Sequence, residues 1–204
     1  MAEPRTRKII RSARREITPS FTLNQIGKYA LEKAVKTEEG SSLEVTTAVL
    51  MCPLTLEAVL NHVGAKLFVE DSKEPLVWLA IERLSPRAKL EAIGERCGFR
   101  PDFGSAPFQH FGPMFRFRDR LAHGKTEILT ARDIPFENPD VSPMLDRVPA
   151  LQADWEHACN VETAERWRES VRQMTQQLCD AAGCLSPVTF GYTADWSADL
   201  VADE

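Results

Sequence analysis

Residues 43 to 68, LEVTTAVLMCPLTLEAVLNHVGAKLF, are the most apolar stretch of the chain. A segment of this length and character has to be wrapped by other elements, so it constrains the fold more than any other feature. Val45, Val49, Leu56, Leu60, Val63 and Leu67 recur near one face at helical spacing, which predicts a central helix. Pro53 has no backbone N–H and is expected to kink it. Glu57 and Asn61, four residues apart, add a polar notch to this apolar element, either as an internal hydrogen-bonded pair or as support for a site.

Further helices follow from the same periodicity. Residues 21 to 37 carry Leu23, Ile26, Ala30, Leu31 and Ala34, with Ser20 as the predicted N-cap and Gly40 beyond the end. A helix is expected over 76 to 84. The next is marked at both ends, by Ser85 and Pro86 at its start and by Gly98 at its stop. Another runs from about 110 to Gly124, and the last from about 160 to 182, with Ala164, Trp167, Val171, Met174 and Leu178 on one stripe. Strand signals are nearly absent. Short connections between amphipathic helices predict an all-α fold, an antiparallel up-and-down bundle of four to five helices. The expected organisation is a basic arm over 1–19, a helical domain over 20–183 with a proline-rich loop at 131–149 (Pro135, Pro139, Pro143, Pro149), and an acidic tail over 184–204.

An apolar fraction of 43% and a charged fraction of 27% are ordinary for a globular chain. No window holds the ~18 consecutive apolar residues of a membrane helix, and the N-terminus has no secretory h-region, so a cytoplasmic protein without membrane partners is expected. The five cysteines contain no Cys-x-x-Cys pair, and with four scattered histidines they predict neither a disulfide framework nor a metal site. No cofactor is expected. Net charge is −5, yet Arg5, Arg7, Lys8, Arg11, Arg14 and Arg15 crowd the first 16 positions. The remaining 19 basic and 28 acidic residues of the chain's 25 and 30 give a body of −9. Such an arm suits either phosphate neutralisation or pairing with the acidic body.

The chemistry-bearing segment is FRFRDRLAHGK, residues 115 to 125. Asp119 and His123, at i and i+4, share a helix face, so the carboxylate can orient the imidazole. Arg118 lies about 140 degrees around the helix from His123, so the two flank a groove that a second copy of the chain can close. An imidazole with a guanidinium suits RNA backbone cleavage: His moves a proton, Arg stabilises phosphoryl charge, and RNA supplies its own 2′-hydroxyl nucleophile. Arg116, Arg120 and Lys125 are candidate RNA contacts. Equally, Arg120, His123 and Lys125 complement the helix macrodipole with no activity at all.

The run RDRLAHG near the end of a late helix resembles the signature of HEPN domains (higher eukaryotes and prokaryotes nucleotide-binding), an Arg followed by four to six residues and a His. Arg118, Asp119 and His123 occupy the motif positions, and Glu57 in LEAVLNHVGAKLF matches an acidic residue that often faces the motif. The resemblance spans about residues 20 to 182. It implies a helical bundle that forms a homodimer with two motifs in one cleft, and a metal-independent endoribonuclease that leaves a 2′,3′-cyclic phosphate, often a toxin or antiviral-defence effector with an antitoxin or inhibitor protein as partner. Other members of the family are inactive dimerisation or binding modules.

Overall fold

The computed structural model describes residues 9–37, 41–124, 126–128, 152–189 and 192–200; for 9–16 and 192–200 only the backbone is considered. Gly40, Lys125, the proline-rich loop 131–149 and the first eight residues lie outside the described residues. The described chain is mostly helical. Its helices are α1 (Pro19–Lys36), α2 (Ser41–Gly64), α3 (Pro75–Ile81), α4 (Pro86–Cys97), α5 (Phe111–His123) and α6 (Val161–Ala182).

The central element is α2, packed against α1, α4, α5 and α6. Ala48, Val49, Val59, Leu60 and Val63 are wholly buried. The helix continues through Pro53, itself buried, and runs on as a wider π-helical turn, Ala65–Asp71. By length and mean hydropathy, Ser41–Asp71 is the one helix among the described residues that would also suffice to cross a membrane. In this fold its apolar side is the core.

Two sequence expectations on α1 change. The N-cap is Thr18, with Pro19 at the first helical position. Ser20, the predicted cap, lies inside the helix, fully buried, and its hydroxyl donates to the Pro187 carbonyl at 3.1 Å. Ile26 is exposed, whereas Ser20, Gly27 and Ala34, seven residues apart, are buried. The seam with α2 is built from small residues because the backbones approach closely: a Cβ on Gly27 would stand 2.9 Å from Met51 Cβ. Bulk at Ile26 cannot fit there, and the apolar count alone misplaces the face.

The later helices are delimited by their caps. Ser85 Oγ accepts from Ala88 N–H at 3.4 Å at the start of α4, and Gly98 ends it at φ +72°. Asn160 Oδ1 accepts from Thr163 N–H at 2.8 Å at the start of α6, and Gly183 closes it at φ +63°. The predicted stripe of α6, from Ala164 to Leu178, is buried throughout. The segment predicted over 76 to 84 is shorter in the fold, ending as α3 at Ile81.

Two strands add to the helical body. β1 (Ile9–Ile17) pairs antiparallel with β2 (Tyr192–Leu200), in a register that sets Ile9 against Leu200, Arg14 against Asp195 and Ile17 against Tyr192. Residues 9–17 of the basic arm and 192–200 of the acidic tail thus form one ribbon. Its signal was present in YTADWSADL, where Tyr192, Ala194, Trp196, Ala198 and Leu200 alternate with polar residues at the strand period of two.

Candidate functional site

Residues 115–123 of FRFRDRLAHGK belong to α5, whose apolar residues Phe111, Met114, Phe115 and Phe117 face the core. Phe117 meets Trp167 of α6 edge-on, with ring centroids 5.9 Å apart. That anchoring fixes the rotation of α5 and therefore where its charged residues point. The helix stops at Gly124, φ +47°, whose N–H donates to the Arg120 carbonyl at 3.2 Å. His123 is thus the last helical residue.

Arg118 turns toward α2. Its Nη1 donates to Glu57 Oε2, and its Nε and Nη2 donate to Asp119 Oδ1 at 2.9 and 2.7 Å. The guanidinium also lies over the Phe115 ring, 4.9 Å from its centroid. Burial acts to lower its pKa, but the hydrogen bond to Asp119 and the charge of Glu57 prevail and raise it above the ordinary value. The side chain keeps only 20% of its exposure.

Glu57 and Asn61 do not pair with each other. Glu57 serves Arg118, and Asn61 Oδ1 accepts from Lys89 Nζ at 2.7 Å. Lys89, on α4, is only 2% exposed. Burial lowers its pKa from 10.5, offset by the nearby charges of Glu57 and Glu82. Glu57 therefore lies between two cations, hydrogen-bonded to Arg118 and acting through its charge on Lys89, which offsets the cost of enclosing them at the inner edge of the bundle. Sequence reasoning missed Lys89. Its signal is a cation four residues before the buried Ile93, on the apolar side of a short amphipathic helix.

His123 faces elsewhere. A cleft of about 810 Å³ is lined by Arg116, Asp119, Arg120 and His123 of α5, by Pro113 and Phe117, and by Asp154, Trp155, Ala158 and Trp167. Arg118 is not on its wall. His123 and Arg116 are exposed at its rim, while Arg120 pairs with Glu127, Nε to Oε1 at 2.9 Å. No hydrogen bond joins Asp119 to His123; the Asp119 Oδ1 accepts from Arg118 instead. Asp119 is the residue common to both sides, gripping the inner guanidinium while facing the cleft. Trp155 and Asp154, also absent from the sequence reading, come from the short segment before α6 that only the fold brings against α5.

Among the described residues, no three His, Cys, Asp or Glu side chains converge in the manner of a metal site. The cleft offers an imidazole, an Arg116 guanidinium with no ion-pair partner among the described residues, the carboxylates of Asp119 and Asp154, and an apolar floor of aromatic rings on which a flat ligand can stack. No protein-family model, curated protein or solved structure significantly matches the chain.

Proposed function

We propose that the chain is a metal-independent endoribonuclease of HEPN type that works as a homodimer. The observation that carries this reading is the position of Asp119: its carboxylate holds Arg118, whose other side is held by Glu57, and it lines the same cleft as His123. That is a motif Arg supported by an acidic residue on the central helix, with the motif His open to a ligand.

In this reading His123 moves the proton of the attacking 2′-hydroxyl or the leaving 5′-oxygen. Arg116 and Arg120 engage the phosphate backbone, and the face of Trp155 accepts a base. Within one copy, Arg118 and His123 lie on different sides of α5, so a second copy brings its own Arg118 side toward the cleft, and Asp119 positions the guanidinium. Arg118 then stabilises the charge on the phosphoryl transition state. The 2′-hydroxyl is the nucleophile, and a 2′,3′-cyclic phosphate results. A role as a toxin or defence effector, held in check by an inhibitor protein, fits such an activity.

The test is incubation of purified protein with single-stranded and structured RNA in the presence of chelator, with product ends identified by mass. His123→Ala should lower cleavage at least ~100-fold, and sedimentation should show a dimer. Cleavage undiminished by His123→Ala sinks the assignment.

One observation favours a second reading, a non-catalytic binding module for a nucleotide, RNA or protein. Arg118 is already satisfied by two carboxylates, as a structural ion pair would be. This reading predicts RNA retention on the protein with no product, and His123→Ala would leave retention within about twofold.

A further inference from the structure

The end of α6 brings two cysteines together. Gly183, in the left-handed conformation, folds the chain back so that Cys184 N–H donates to the Cys179 carbonyl at 3.0 Å and Gly183 N–H to the Asp180 carbonyl at 3.3 Å. This is the paired 6→1 and 5→2 pattern of a Schellman cap, in which the residue after the glycine packs its side chain on the residue five before it. At most helix ends that contact is between two apolar side chains. Here both positions are thiols, and the 3.0 Å bond from Cys184 N–H to the Cys179 carbonyl sets the two residues side by side, the proximity that a disulfide needs. Both are free thiols in this structure.

We propose that Cys179 and Cys184 form a dithiol that hydroperoxides oxidise to an internal disulfide, clamping the end of α6 to the segment that leads into β2. The two sulfurs have unequal roles. Cys179 is wholly buried in the core, whereas Cys184 is half-exposed. A hydrogen bond from the Cys179 thiol holds the Cys184 thiol below its ordinary pKa; burial and the Asp71 and Asp180 carboxylates oppose this, and the Lys66 ammonium adds to it. The Cys179 thiol is pushed up by the same hydrogen bond and by burial. Cys184 is thus the sulfur that attacks, and Cys179 the one that resolves.

The steps balance. The Cys184 thiolate attacks one oxygen of hydrogen peroxide and the O–O bond breaks. The departing hydroxide takes a proton and leaves as water, and Cys184 becomes a sulfenic acid. Cys179 then loses its proton and attacks the Cys184 sulfur. The S–S bond forms, the S–O bond breaks, and a second water leaves. Two thiols are oxidised, and one peroxide is reduced to two waters.

The segment that resolves the sulfenic acid is also favourable for the assay. No Lys or Arg follows Arg172, so trypsin leaves residues 173–204 as one peptide containing both cysteines. The reduced full-length protein is treated with stoichiometric hydrogen peroxide, blocked with an alkylating reagent, digested without reductant and weighed. The expected product is peptide 173–204 lighter by two hydrogens and unalkylated, restored by dithiothreitol. Before oxidation, Cys184 should alkylate at least about tenfold faster than the half-buried Cys159, whose pKa is raised by burial. Lys66→Met should slow Cys184 several-fold without changing Cys159. A bridge joining this peptide to the one containing Cys97, oxidation that stops at sulfinic acid on Cys184, or equal rates at Cys184 and Cys159 would each overturn the proposal. These readouts are on the wild-type chain and do not depend on any ribonuclease activity.

Discussion

Arg118 and His123 stand five residues apart on one helix yet serve different surfaces. Arg118 reaches inward to Glu57 of α2, and His123 lies on the wall of the open cleft. Among the described residues Asp119 alone belongs to both settings, so the ion pair and the cleft meet at one carboxylate.

Glu57→Gln keeps the shape of the side chain but removes the charge facing Arg118. Both partners are more than two-thirds buried, with 20% and 32% exposure. Loss of a charge-assisted bond in that setting should cost about 1–3 kcal/mol of stability, read from urea unfolding. Arg118→Lys should not behave as wild type, because an ammonium cannot hold Glu57 and the Asp119 carboxylate in one planar fork. In the RNA assay both variants should fall with His123→Ala if the Arg118 setting matters to catalysis.

The burial of Lys89 makes a prediction at alkaline pH. Its folded-state pKa lies below 10.5, so the folded chain releases this proton before the unfolded chain does. The cost of enclosing the ammonium is present at neutral pH and is relieved as pH rises through the folded value toward 10.5. Over that alkaline range wild type should therefore gain stability relative to Lys89→Met. A constant difference between the two would show that Lys89 titrates alike in the folded and unfolded chain.

His110 works in the acid direction. Its Nδ1 meets Ser170 Oγ at 2.8 Å, and burial, with the charge of Arg166, lowers its pKa from 6.5. The folded state thus binds fewer protons than the unfolded state. The contribution of the neutral ring is complete above 6.5 and is lost as pH falls through the lowered folded value. Denaturation midpoints measured down this range should drop more steeply for wild type than for His110→Gln, which keeps a partner for Ser170 but does not titrate.

Gly64 is required by contact rather than by backbone conformation. A Cβ there would stand 2.0 Å from Trp78 Cζ3, and Trp78 is itself stacked on Phe68 with centroids 6.2 Å apart. Gly64→Ala should destabilise by about 1–3 kcal/mol or more through overpacking, even though alanine is the better helix former. A thermal midpoint unchanged from wild type would mean that α3 is able to swing away freely.

By itself the sequence determined the helical body. Residues 43 to 68 read as a helix with a long apolar face, the caps at Ser85, Gly98, Gly124 and Gly183 are local hydrogen-bonding events, and the α6 stripe repeats at the helical period. Such features depend on neighbours within a few residues, and so they are legible in a string. The tertiary structure decided the rest. It chose small residues rather than Ile26 for the α1 seam, gave Glu57 to Arg118 and Asn61 to Lys89, and brought Trp155 and Asp154 to the cleft. It also paired residues 9–17 with 192–200 into a ribbon. Each of these contacts joins positions far apart in sequence, and which partner a buried charge or a close-packed backbone meets depends on helix rotation, which the packing of rings such as Phe117 and Trp167 sets only in three dimensions.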